Sequence, residues 1–166
     1  MPGDANNTHE RGLRIICVKE NSQMSAEQNK AIVRRWYQDV FEKGNLALAN
    51  EIFTADYTSH DPSAPPGGWP RGPEGAKALV ATYRGAFPDI QFTIDDQVAE
   101  GDKVVTRWTG RGTNTGELMG MPPTGKKAVV TGINIDRIAN GKIAETWGNF
   151  DALGMLQQIG AIPAPQ

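Results

Sequence analysis

The change of hydrophobic period near Pro88 constrains this chain most. Before it, apolar residues recur at helical spacing; after it, they alternate as in half-buried strands. Helices gathered in one part and strands in another make an α+β domain, with the helices packed on one side of a curved antiparallel sheet. At 166 residues the chain is expected to form one domain with a sizeable core.

The first element begins at "SAEQ", where Ser25 and Gln28 have the spacing of a capping box. Ile32, Val33, Trp36, Tyr37, Val40 and Phe41 then follow a helical period, and Gly44 ends it. "NLALANEIF" reads as a shorter helix capped by Asn45, followed by a short strand and a long Pro/Gly-rich loop. Pro73 suits the first turn of a helix whose apolar stripe is Leu79, Val80, Tyr83 and Phe87. "IQFTIDDQVAEGDKVVTRWTGRGT" makes two strands about Glu100-Gly101-Asp102, and "AVVTGINIDRI" with "KIAETWGNF" makes a closing hairpin about Asn140-Gly141. A short helix in "DALGMLQQIG" completes the order α-α-β-α-β-β-β-β-α. Residues 1–23 read as a polar tail and 24–163 as the domain.

Bulk properties exclude several functions. With 17 basic and 19 acidic residues the net charge is -2, and no basic run invites nucleic acid. No apolar run reaches the length of a membrane span, and the N-terminus lacks the order of a secretory signal. Cys17 is the one cysteine, so no internal disulfide forms and a cytoplasmic setting is expected. His9 and His60 are too few and too distant to suggest a histidine metal site, and no metal or other cofactor is expected.

Four phrases, "GNLALANEIFTADYTSHDP", "GELMGMPPTGKK", "TGINIDRIANGKIAETW" and "LGMLQQIG", resemble the SnoaL-like polyketide cyclases of the nuclear-transport-factor-2-like superfamily. The resemblance runs from about Ser25 to Ile162. It implies an α+β cone whose sheet encloses a deep apolar pocket under helices on its concave side, usually in a homodimer. It also implies cofactor-free intramolecular aldol closure of a ring in an aromatic polyketide, or, in some relatives, assistance to hydroxylation. One positioned base and one donor to the developing oxyanion suffice for such chemistry in a dry pocket. The family's base, an aspartate, corresponds to Gly148 here; its pocket histidine corresponds to Asn134 and a pocket glutamine to Gly132. The frame is kept while the usual base is absent.

A second resemblance, to ketosteroid isomerase of the same superfamily, implies another base. Aligning the first helices puts Tyr37 at that enzyme's oxyanion tyrosine and Asp61 at its base; aligning "INIDRI" puts Asn134 at its oxyanion-hole acid. The candidate catalytic set is therefore Asp61, Tyr37 and Asn134, with His60 as an alternative base. Each has a plain structural reading too. Asp61 before proline makes a good turn, His60 could be solvated, and Tyr37 and Trp36 fit a core stripe. Asp136 shares a strand face with Asn134, either as a base nearer the mouth or as a solvent-facing charge. Trp36, Val40, Leu79, Gly132, Asp136, Thr146, Gly148 and Phe150 are the expected ligand-binding positions.

The closing hairpin permits two registers. A two-residue Asn140-Gly141 turn pairs Asn134 and Asp136 with Trp147 and Glu145; a bulged loop from Ala139 pairs them with Thr146 and Ala144. The bulged form is expected, with Thr146, Gly148 and Phe150 in the pocket and Glu145 and Trp147 on the convex face, at a dimer contact. The expected ligand is a small hydrophobic carbonyl compound or polyketide. Cyclisation, ligand sheltering without chemistry and a hydroxylase-like reaction remain the three functional alternatives.

Overall fold

The computed structural model describes residues 24–163; the expected polar tail lies outside them. Helix α1 (Ala26–Arg35) starts at the capping box: Ser25 Oγ accepts from the Gln28 amide, and the Gln28 side chain accepts from the Ser25 amide. It runs on into a π-helical segment, Trp36–Glu42, in place of a uniform α-helix. Gly44, at φ 73°, ends that segment, and Arg84 donates to the carbonyls of Phe41 and Glu42 at its C-terminal end. The second helix is a 3₁₀ turn (Leu46–Leu48) leading into α2 (Ala49–Ile52), and the Asn45 side chain makes no cap. Strand β1 (Phe53–His60), helix α3 (Pro73–Ala86), strands β2 (Gln91–Glu100), β3 (Lys103–Thr113), β4 (Lys127–Ala139) and β5 (Lys142–Phe150), and helix α4 (Ala152–Gln158) follow in the predicted order.

The five strands form one sheet in the order β1-β5-β4-β3-β2. It is mixed, which corrects the expectation of a wholly antiparallel sheet: β1 lies parallel to β5, while the other three pairings are antiparallel. The intervening α3 supplies the long connection that lets β1 enter at the far edge. Three irregularities accompany the curvature. Asp95 is an extra residue in β2, between the Ile94–Trp108 and Asp96–Arg107 pairs, and its carboxylate accepts from Thr109 at 2.7 Å and faces Arg107 at 3.3 Å. Ala144 is extra in β5, and the β1–β5 register shifts between Phe53 and Thr58. Each bulge bends and twists its strand.

Neither expected register of the closing hairpin is the observed one. Asn140 and Gly141 both have positive φ, 51° and 74°, so the loop is a two-residue turn closed by the Ala139–Lys142 pair. The bulge lies inside β5 instead, at Ala144, and moves every later partner by one residue. Asn134 therefore faces Gly148, and Asp136 faces Thr146. Because of the bulge, the adjacent Ile143 and Ala144 are both buried. Thr146 and Gly148 keep the inward face, as expected.

Val33, Val40, Ile52, Phe53, Val80, Val104 and Ile143 form the packed layer between helices and sheet. The loop between β3 and β4 is fastened by Asn114. Its Nδ2 donates to the Gly116 carbonyl at 2.9 Å, and its Oδ1 accepts from the amide and hydroxyl of Thr124 at 2.9 and 3.2 Å.

Candidate active site

A cavity of about 110 Å³ opens between the helices and the inner face of the sheet. Its walls are mostly apolar and aromatic: Trp36, Phe41, Leu79, Phe92, Trp108 and Phe150 all contribute. Phe92 meets Phe41 and Trp108 edge-on at centroid distances of 4.8 and 5.4 Å. Among these rings stand a few polar groups, the combination that orients a largely hydrophobic ligand.

Asn134 is the most defined of them. The Trp108 indole Nε1, which can only donate, donates to Asn134 Oδ1 at 3.0 Å. The carboxamide is thereby oriented, with its NH2 left as the end free to donate. Gly132 makes this possible. A Cβ at position 132 would fall inside the Trp108 ring, so only glycine lets the indole lie across β4. The glycine at 132 therefore lies behind Trp108, not on the cavity wall where it was expected. Gly148 does line the cavity, beside Asn134; a Cβ there would stand 3.4 Å from Asn134 Oδ1, an ordinary contact.

Tyr37 projects from the π-helical segment into the cavity, and its buried hydroxyl has no hydrogen-bond partner. Burial, then nearby Asp136 and Tyr57, push its pKa far above the usual phenol value, so it remains a neutral donor. Asp61 is on the wall and also holds its own turn. Its Oδ1 accepts from the Ser63 amide at 2.8 Å and hydroxyl at 2.7 Å, and Oδ2 accepts a long 3.5 Å bond from Trp69 Nε1. The turn expected of Asp61 is thus present, and the same carboxylate also reaches the cavity wall.

Besides Gly132, three expected positions lie elsewhere. His60 is on the opposite face of the sheet, stacked on Trp147 at 5.2 Å and bonded to Glu145 at 2.8 Å. The alternation of β1 explains this: Tyr57, Ser59 and Asp61 face inward, so His60 faces out. Arg137 also holds Glu145, at 3.0 Å, and His60 and Arg137 together depress the Glu145 pKa. Val40 is core, without cavity exposure. Asp136 is neither at the mouth nor in solvent: it is 1% exposed, next to the cavity behind Thr146, whose Oγ1 donates to Asp136 Oδ1 at 2.6 Å. Burial raises its pKa to about 7 against the lowering effect of that bond.

Sequence reasoning did not select Trp108, Tyr57 or Ser59 for the cavity. The alternation of "KVVTRWTG" puts Trp108 in phase with Val104 and Thr106, and that of "DYTSHD" puts Tyr57 and Ser59 in phase with Asp61. Among the described residues no cluster of three or more His, Cys, Asp or Glu could hold a metal ion, and no helix is long and apolar enough to cross a membrane.

The fold has counterparts among known proteins. The profile of the SnoaL-like polyketide cyclases matches residues 31–159. The chain belongs to that family. TsrD from Streptomyces laurentii superposes with a TM-score of 0.74 at 27% identity, covering 84% of this chain and 99% of that one. IdmH from Streptomyces antibioticus superposes with a TM-score of 0.69 at 35% identity, covering 80% and 99%. A curated relative, the aklanonic acid methyl ester cyclase DnrD of Streptomyces peucetius, is 33% identical over 91 residues; the match spans 54% of this chain and 63% of that one.

Proposed function

We propose that this SnoaL-like protein closes a ring in a hydrophobic, multi-ring carbonyl compound by a cofactor-free intramolecular aldol reaction or a related carbon-acid proton transfer. The observation that carries the reading is the Asn134 carboxamide, held by Trp108 with its NH2 free to donate in an aromatic cavity that also contains the unpartnered Tyr37 hydroxyl. Donors fixed before the reaction stabilise an enolate oxygen without reorganising. Asp61, the carboxylate on the wall, removes the proton α to the bound carbonyl. The enolate carbon then attacks a second carbonyl of the same molecule, forming the C–C bond, and the new alkoxide takes back a proton to become a hydroxyl. The DnrD name supports an ester-bearing aromatic polyketide as the substrate class.

The test is turnover of a synthetic aromatic β-polyketide ester. Asp61→Asn should lower kcat by about 100-fold or more, the usual weight of a general base; unchanged turnover removes Asp61 from that role. Asn134→Leu should weaken kcat and ligand binding together. A second reading, a ligand-sheltering protein without chemistry, is favoured by Gly148 at the family's base position and by the Ser63 bonds that already occupy Asp61. Its signature is a bound ester recovered unchanged after long incubation.

The working form in this reading is a cytoplasmic homodimer. Val98, Val105 and Ile135 form one exposed apolar row across the face of the sheet away from the helices, with Ile133 and Val129 beside it. A second copy is the occupant proposed for that face.

A further inference from the structure

Among the described residues Asp136 is the only buried carboxylate, and the reaction proposed above does not use it. It ends a row of polar side chains crossing the sheet. Asp136 pairs with Thr146, and Thr146 pairs with Ser59, so all three project inward at one level. Tyr57, two residues before Ser59, shares this inward face, and the bond that joins members of the row is the one from Thr146 Oγ1 to Asp136 Oδ1 at 2.6 Å. Ser59, Tyr57 and Thr146 line the cavity, whereas Asp136 is reached only through them. Asp136 Oδ2 has no partner.

A threonine hydroxyl has a single proton, so the Thr146–Asp136 bond fixes which way that hydroxyl points. With Asp136 ionised, Thr146 donates to Asp136, and the Thr146 oxygen can then only accept from the cavity. With Asp136 protonated, the carboxyl can donate to Thr146, and the Thr146 hydroxyl proton is then free for the cavity. We infer that Asp136 sets the hydrogen-bonding polarity of the cavity wall at Thr146, and so decides whether that wall selects a ligand hydroxyl or a ligand carbonyl. The inference rests on the reading of the cavity as a ligand site.

The surroundings leave this control to one group. The π-helical segment presents Tyr37 to Asp136, β3 presents Val104, β5 presents Thr146, and β1 presents Tyr57 with Asp61 beyond it. Helix α1 contributes buried Asn29 and Val33. Lys103, Glu145 and Arg137 turn to the other face, in pairs with Asp102 and with one another. Burial and the Thr146 bond are the two influences on the Asp136 proton, and with a pKa of about 7 both states are populated near neutrality. Tyr57, pushed by burial up to about 12, stays neutral and adds no charge beside Asp136.

The experiment compares two probes of one size, 2-naphthol (a donor) and 2-acetylnaphthalene (an acceptor), titrated into the full chain across neutral pH. Preference for 2-naphthol over the ketone should rise about fivefold with pH, the worth of one net hydrogen bond. Asp136→Asn and Thr146→Val should both flatten the change, while Thr146→Ser preserves it, a pattern that a purely structural role would not produce. A pH-independent preference in the wild type, or a pH-dependent one surviving in either flattening variant, overturns the inference. In parallel, carbon NMR of the ligand-free protein reads Asp136 Cγ and Thr146 Cβ. A shared midpoint upholds the coupling of the two, and a Thr146 signal indifferent to Asp136 overturns it. Failure of both probes to bind at any pH sinks the cavity reading instead, and the ligand-free titration then decides the coupling by itself.

Discussion

Two glycines on the inner face of the sheet make opposite predictions. Gly148 has room for a Cβ and an ordinary φ, so Gly148→Ala should raise stability by roughly 0.4–1 kcal/mol through the unfolded chain, while filling space beside Asn134 and weakening ligand binding. Gly132→Ala drives a methyl into Trp108 and should cost about 1–3 kcal/mol, with a change in tryptophan emission as the indole leaves Asn134. Urea midpoints of the two variants against the wild type check both. Asp136 makes a third prediction, on pH. Its folded pKa of about 7 stands above its unfolded value of 3.8. Between these values the folded state holds a proton that the unfolded state has lost, so the stability contribution is complete below about pH 4 and disappears as pH rises towards 7. At about 1.36 kcal/mol per unit the loss is on the order of 4 kcal/mol. Relative to the wild type, Asp136→Asn should therefore gain stability from about pH 4 to 7; parallel stability curves would contradict the buried acid.

At the scale of elements, the β3–β4 loop depends on Asn114, whose side chain takes the place of backbone pairing between Gly116 and Thr124. Asn114→Ala should cost roughly 2–4 kcal/mol, since several buried polar groups lose their partner, and should speed hydrogen exchange at the Thr124 and Gly125 amides first. A purely global loss of protection would argue against a local fastening role. The elements themselves were readable in advance because each carries local chemistry: Ser25 with Gln28, Pro73 at a helix start, Asn140-Gly141 in a turn. What was not readable depends on partners remote in sequence. The parallel pairing of β1 with β5 is fixed by packing beneath α3, with no signal inside "FTADYTSH". The Ala144 bulge had a faint signal, two adjacent apolar residues in "KIAETW", which local propensity alone does not separate from a strand end. The same bulge decides the site, because it brings Gly148 opposite Asn134 and Thr146 opposite Asp136. Tyr37, Asp61 and Asn134 were legible as wall residues. The depth of Asp136 was not, since the same alternation places a residue inward whether the sheet there is covered or open.

For the whole molecule, the proposed dimer gives a simple prediction. Ile135 stands in the exposed row beside Val105, with half-buried Trp147 next to it on β5. Ile135→Glu puts charges of one sign face to face in a symmetric contact and should halve the mass measured by light scattering, leaving the far-ultraviolet circular dichroism unchanged. An unaltered mass would direct attention to another face. The arrangement of Trp108 over Gly132 has a consequence in the history of such chains. A side chain at position 132 cannot coexist with an indole folded across the strand. The two positions, one on each of two neighbouring strands, are therefore expected to change together. Aligned sequences should accordingly contain Gly132 with Trp108, or a longer residue with a smaller partner, and should lack the bulky pair.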